Sequence, residues 1–261
     1  MNRIIAVANQ KGGVGKTTST LNIGAGLSLL KRKVLLVDLD PQANLTYSVG
    51  IRAHELKQTI YDLLKGKVKV EDIIIKHKNY DIIPSNINLS GIEIELSTTS
   101  GREFVLKKYL SSVIEKYNYI LIDCPPSLGL ITLNGLTTSK EVFIPLQTEF
   151  LSLQGLSELI QTIEIVKHRL NHELIITGII GTLFDSRKKL NKEVVEKIQE
   201  YFDGKLFKTL IRDNVALAEA PSFGRDIFEY KQNSHGAKDY INLCKEIISQ
   251  EEHLWMKKER N

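Results

Sequence analysis

One stretch limits the fold of this chain more than any other: Gln10-Lys11-Gly12-Gly13-Val14-Gly15-Lys16-Thr17-Thr18, set between an apolar run and a helical one. Ile4-Ile5-Ala6-Val7-Ala8 reads as a buried strand that delivers the backbone to a turn. The helical pattern beginning near Thr17 aims its N-terminus back at that turn. Gly12, Gly13 and Gly15 lack a Cβ, so the backbone there can take positive φ and turn its N–H groups inward as an anion cradle. Lys16 adds a point charge for the β- and γ-phosphates of a nucleotide, and Thr17 a hydroxyl where a Mg²⁺ ligand normally sits.

The rest of the chain supplies the sheet such a loop needs. Val34-Leu35-Leu36-Val37 and Tyr119-Ile120-Leu121-Ile122 are continuous apolar runs, as expected of strands buried on both faces. They end in Asp38-Leu39-Asp40 and in Asp123. Further strands are expected at 80–84, 142–146 and 174–184, with 207–211 extended. Helices are expected at 17–30, 59–64, 70–75, 102–117, 152–171, 190–202 and 237–248. Strands alternating with helices at this spacing imply one α/β domain over residues 1–261, a doubly wound, mostly parallel sheet flanked by helices. The 261 residues suffice for a full core, and 42% apolar with 25% charged residues is an ordinary globular composition. A formal charge of +4 permits contact with nucleic acid or an anionic surface without requiring either. Two cysteines, Cys124 and Cys244, give neither a disulfide framework nor a metal spacing, and there is no secretion signal or membrane-length apolar run. A cytoplasmic protein is expected.

Carboxylates at the C-terminal ends of parallel strands lie on the ligand side of the sheet. Asp123, after four apolar residues, is placed to hold Mg²⁺ through water, and Asp38 is assigned to the surroundings of the metal. Lys11 departs from the general phosphate-loop pattern. Lys16 already serves the phosphates, so a second lysine is better used in another copy of the site.

At these residues the chain resembles the ParA/MinD group of ATPases, whose deviant Walker A motif reads like Lys11-Gly-Gly-Val-Gly-Lys-Thr-Thr18. Within that group it resembles the ParA/Soj partitioning branch. The resemblance implies ATP and Mg²⁺ as ligands, and a homodimer with ATP at its interface into which Lys11 reaches. It also gives Asp40 the placing of the attacking water. The nucleotide contacts are then Lys11, Gly12, Gly13, Val14, Gly15, Lys16, Thr17 and Thr18. In the family's adenine-bordering segment this chain reads Ile211-Arg212-Asp213-Asn214-Val215-Ala216. Asn214 is retained for the base, Arg212 stands where the family has proline, and Ala216 where it has arginine. Thr182 to Lys189 resembles the family segment whose arginine binds DNA without sequence preference. Arg187, Lys188, Lys189 and Lys192 place four positive charges in six positions, a pattern suited to phosphates. Arg212 and Arg225 are candidates to replace the arginine missing at Ala216. The phosphate loop begins at residue 10, so no DNA-reading helix-turn-helix is expected ahead of it. A ParB-like centromere-binding partner is implied, stimulating slow intrinsic turnover, with nucleoid association of the ATP-bound form.

Three rivals share the loop. A MinD-type membrane-positioning ATPase needs a basic amphipathic C-terminus, whereas Glu246, Glu251, Glu252 and Glu259 interrupt Ile247, Ile248, Leu254, Trp255 and Met256 here. No stable membrane association is expected. A dethiobiotin-synthetase-like ligase would need a small-molecule acceptor. An iron–sulfur reductase would need two cysteines around one cluster. His168 and His172 read as a surface pair.

Overall fold

The computed structural model describes residues 2–149, 152, 155–202 and 204–258, with side chains through Glu251. Seven strands, β1 (Arg3–Val7), β2 (Val34–Asp38), β3 (Ile75–Lys76), β4 (Asp81–Ile83), β5 (Tyr119–Asp123), β6 (Glu141–Gln147) and β7 (Ile175–Thr182), form one sheet in the order β3-β4-β2-β5-β1-β6-β7. All neighbours are parallel except β3 and β4. The chain leaves β1 toward β2 on one side and returns from β5 to β6 on the other. The switch point therefore lies beside β1, where the phosphate loop emerges.

The helices are α1 (Lys16–Leu29), α2 (Asn44–Ser48), α3 (Ile60–Leu64), α4 (Val70–Ile73), α5 (Ile92–Glu95), α6 (Val105–Leu110), α7 (Leu130–Thr138), α8 (Leu156–Arg169), α9 (Lys189–Tyr201), α10 (Val215–Glu219), α11 (Ile227–Lys231) and α12 (His235–Lys258). Every residue of β1, β2 and β5 is buried, because alternate side chains enter two cores. Ile4, Ala6, Leu35, Val37, Ile120 and Ile122 face one layer, packed under α3 and α6 to α9. Ile5, Val7, Leu36 and Leu121 face the other, packed under α1, α11 and α12. The doubly wound α/β architecture expected from the sequence is what forms.

Differences from expectation are local. The helix expected at 102–117 is broken: α6 covers only 105–110, with 3-10 turns at Arg102–Phe104 and Ile114–Lys116. Ser111 turns its hydroxyl back onto the Lys108 carbonyl at 2.7 Å, competing with continuation of the helix. α8 starts at Leu156 rather than 152; residues 150, 151, 153 and 154 lie outside the described residues. Residues 207–211 form no strand, yet they line the outer edge of β7, with Phe207 N donating to Ile179 O and Ile211 N to Gly181 O. α12 runs well past 248. Leu254, Trp255, Met256, Glu252 and Glu259 lie outside the described side chains.

Arg3 opens β1 as a buried cation. Its Nε and Nη2 donate to Glu141 Oε1 and Oε2 at 2.8 and 2.6 Å, and its Nη1 to the Ile247 carbonyl of α12 at 2.7 Å. Both partners are almost wholly enclosed, so removing either would leave a buried charge uncompensated, worth about 3–5 kcal/mol. This ties α12 to the end of the sheet opposite the phosphate loop.

Candidate nucleotide site

The loop after β1 closes as its glycines allow. Gly13 and Gly15 take φ of 73° and 86°, and the second caps α1 in a left-handed conformation that a β-carbon would strain. Two side chains brace the loop from neighbouring strands. Thr182 Oγ1 donates to the Val14 carbonyl at 2.9 Å, and Gln147 Nε2 to the Gly13 carbonyl at 3.4 Å. With the Gly13 and Val14 carbonyls held from outside, the glycine-rich part of the loop and the positive end of α1 suit an anion.

Lys16 is buried against the loop, and its Nζ donates to the Lys11 carbonyl at 3.1 Å. Burial lowers its pKa, opposed by the Asp123 carboxylate. Thr17 Oγ1 donates to Asp123 Oδ2 at 2.7 Å, and Thr20 Oγ1 to Asp123 Oδ1 at 3.2 Å. Parallel register sets Asp38 beside Asp123 at the ends of β2 and β5. Both carboxyls are fully buried, and burial pushes Asp38 up to about 6 and Asp123 up to about 8, the latter also through the Asp38 charge. Asp38 is fully engaged: Oδ1 accepts from Asp40 N at 3.1 Å, and Oδ2 from Thr46 N and Oγ1 at 2.9 and 2.7 Å. Asp40, slightly exposed, uses Oδ1 to accept from Gln42 N at 2.9 Å.

These residues fit a magnesium nucleotide. Among the described residues no group of three or more His, Cys, Asp or Glu forms a metal site by itself. Mg²⁺ usually completes its shell with water and substrate phosphates, needing only one or two protein ligands. The Thr17 hydroxyl, hydrogen-bonded to Asp123, could hold such an ion, with Asp38 beside Asp123 at the neighbouring strand end.

Lys11 lies apart from this group. Its Nζ donates to Ser152 Oγ at 3.2 Å and its N–H to Asn9 Oδ1 at 3.0 Å. The adenine candidates are more committed than the sequence suggests. Asn214 Oδ1 accepts from Ala216 N at 2.9 Å as the N-cap of α10, leaving its NH₂ group free of that duty. Arg212 spends its fork on Asp239, with Nε–Oδ2 at 3.0 Å and Nη2–Oδ1 at 2.6 Å, and offers a base chiefly its flat face. Ala216 is buried in the core, whereas Arg225 is exposed.

The basic cluster sits at the start of α9, on the turn leaving β7. Arg187, Lys188, Lys189 and Lys192 are all exposed. Arg187 is paired with its neighbour Asp185 at 2.8 Å, which holds that carboxyl down at about 2, and Lys189 faces Glu193 at 3.5 Å. Cys124 and Cys244 are buried in opposite cores, one on each face of the sheet, so they cannot share a cluster. His168 is exposed and faces Glu164. No helix among the described residues is long and apolar enough to cross a membrane.

Sequence reasoning did not identify Thr20, Thr46, Gln147, Ser152 or Thr182. Thr20 alone carried a usable signal, one helical turn beyond Thr17 on the same face.

A glycine loop capping a helix, a lysine folded over it, and a hydroxyl bonded to the acid at the next strand end define a P-loop nucleotide-binding protein of the kind with a second loop lysine. The AAA domain profile matches residues 2–176. The sporulation initiation inhibitor protein Soj of Bacillus subtilis is 48% identical over 251 residues, covering 95% of this chain and 99% of that protein. The chromosome-partitioning ATPase Soj of Treponema pallidum is 47% identical over 253 residues, covering 96% and 99%. Among solved structures, cobyrinic acid a,c-diamide synthase from Mycobacterium smegmatis with bound ATP analog and magnesium superposes with a TM-score of 0.85. It is 36% identical and covers 94% of this chain and 93% of that one. The chain belongs to the Soj/ParA family of partitioning ATPases.

Proposed function

We propose that this chain is a single-domain ATPase that binds Mg²⁺-ATP, dimerises around it, holds DNA without sequence preference in that state, and acts with a ParB-like partner in chromosome or plasmid segregation. The division of labour between the two lysines carries the reading. Lys16 is folded into its own loop, while the Lys11 ammonium rests on Ser152 outside it, free to serve a second copy.

Thr17 and Asp123 are the residues that would hold Mg²⁺, which neutralises charge on the phosphates when bound. Asp40 orients water toward the γ-phosphorus; the new P–O bond forms as the bond to the β–γ bridging oxygen breaks, leaving ADP and phosphate. Loss of the γ-phosphate removes what Lys11 holds across the interface, and the dimer separates. Two rigidly linked basic turns bind DNA far more tightly than one, so separation also releases DNA. The protein is then cytoplasmic, nucleoid-associated with ATP, and without stable membrane association.

The test is retention of arbitrary-sequence duplex DNA with ATP, with ADP and with Lys11→Ala, across a salt series. Retention with ATP alone, absent in the variant and falling steeply with salt, is expected. Equal retention in all three conditions refutes the dimer-gated reading. No retention together with ATP-dependent sedimentation on anionic vesicles replaces it with the MinD-type one.

A further inference from the structure

The turn that carries Asp40 is held by a buried side chain to which the nucleotide reading gives no role. Thr46 is completely enclosed. Its Oγ1 donates to Asp38 Oδ2 at 2.7 Å and accepts from Ser85 N, just beyond β4, at 3.0 Å, while its own N–H donates to the same Asp38 oxygen at 2.9 Å. The other Asp38 oxygen accepts from Asp40 N at 3.1 Å. An unbroken set of hydrogen bonds thus runs from the end of β4 through Thr46 and Asp38 to the backbone of Asp40.

The turn has reason to need such a clamp. Ala43 stands in the left-handed region at φ 53°, a conformation that a residue with a β-carbon keeps only when its surroundings impose it. The backbone closes the turn through Ala43 N donating to the Asp40 carbonyl at 2.9 Å, and the side chains of Asp38, Asp40 and Thr46 brace it, Asp40 Oδ1 accepting from Gln42 N at 2.9 Å.

We propose that Thr46 is a positioning residue for ATP hydrolysis: by locking Asp38 to the end of β4, it fixes the backbone of Asp40 and with it the carboxylate that orients the attacking water. The inference rests on the proposed role of Asp40.

Thr46→Val keeps the shape and removes both hydroxyl hydrogen bonds. Turnover of Mg²⁺-ATP, affinity for a non-hydrolysable ATP analogue and melting temperature are measured together, with wild type and Lys16→Ala as references. Misplacing Asp40 is expected to lower kcat about 10- to 100-fold with analogue affinity within about threefold, and Thr46→Ser is expected to recover most of the turnover. A purely structural role would lower the melting temperature without this split between kcat and affinity. Thr46→Cys, which weakens both bonds at similar volume, is the second variant should Thr46→Val not fold, with an intermediate kcat expected. A kcat within about twofold of wild type in a folded Val or Cys variant overturns the proposal. Wild-type turnover no greater than that of Lys16→Ala would instead sink the ATPase reading beneath it.

Discussion

The paired acids make nucleotide-free stability depend on pH in a direction opposite to that of most surface carboxylates. Asp38 and Asp123 are buried side by side, and the folded state holds their protons up to about 6 and about 8. In the unfolded chain both ionise near about 3.9. An acid raised in this way stabilises the fold fully below its unfolded pKa and loses that stabilisation as pH climbs through the folded one. Between pH 6 and 8 the folded protein therefore carries about one proton more than the unfolded chain. At about 1.4 kcal/mol per proton per pH unit, that loses about 2–3 kcal/mol of stability across the interval. For a chain of this length it lowers the melting temperature by about 5–10 °C. Asp123→Asn removes the larger contribution at constant size, and histidines common to both proteins cancel in the difference. Melting curves of nucleotide-free wild type and Asp123→Asn from pH 5.5 to 8.5 should diverge, with wild type the steeper. Mg²⁺-ATP should flatten the wild-type slope, since a cation beside the carboxylates favours their charged form. Parallel pH profiles for the two proteins would show that Asp123 is not protonated in the nucleotide-free state and refute the reasoning.

Arg187→Glu is expected to reduce ATP-dependent DNA retention and to lower the salt slope by about one, with turnover in the absence of DNA unchanged. The Asp185 pair does not bar Arg187 from phosphate, because an exposed pair is worth only about 0–1 kcal/mol; an unaltered gel shift would move the DNA site elsewhere. Gly224→Ala should destabilise the fold by about 2–4 kcal/mol, summing left-handed strain and overpacking. Gly224 sits at φ 62°, and a β-carbon would come within 2.5 Å of Gly50 Cα and 2.9 Å of Gly50 N, backbone atoms unable to swing aside. Chemical denaturation giving a loss under about 1 kcal/mol would contradict that close approach.

Elements whose burial comes from their own composition were legible. β1, β2 and β5 are apolar runs because both of their faces are covered, and β2 and β5 end at Asp38 and Asp123. α7 was not anticipated: Leu130-Ile131-Thr132-Leu133-Asn134-Gly135-Leu136-Thr137-Thr138 has weak intrinsic helix preference and no charged face. It forms because nearly all of it is buried, with Gly135 pressed toward Cys124 and Leu39. α10 and α11 are one-turn helices held by the Asn214 and Asp226 caps, too short to show a period. β3 is two residues long and exists only because Ile75 finds Ile82.

Within the site, chemistry was legible and support was not, and the reason is tertiary placement. Lys16, Thr17 and Asp123 announce themselves by residue type at fixed places beside strands. Thr46 and Thr182 are ordinary threonines whose partners are set by tertiary placement: α2 folds Thr46 back onto Asp38 at the end of β2, and Thr182 at the end of β7 reaches past β6 to the Val14 carbonyl in the loop after β1. The pairing of β6 with β7 carries this support on to the basic turn. Thr148 N donates to the Thr182 carbonyl, Asn191 Nδ2 donates to the Thr148 carbonyl at 2.6 Å, and Asp185 N donates to Asn191 Oδ1 at 2.9 Å. Thr182 thus braces the phosphate loop with its hydroxyl while its backbone joins the network that seats the turn bearing Arg187. Loop and turn are anchored to the same strand ends, so the basic turn cannot be displaced far without disturbing the residues that hold the phosphate loop. No spacing in the sequence contains that constraint, because it arises only once β6 and β7 stand next to each other.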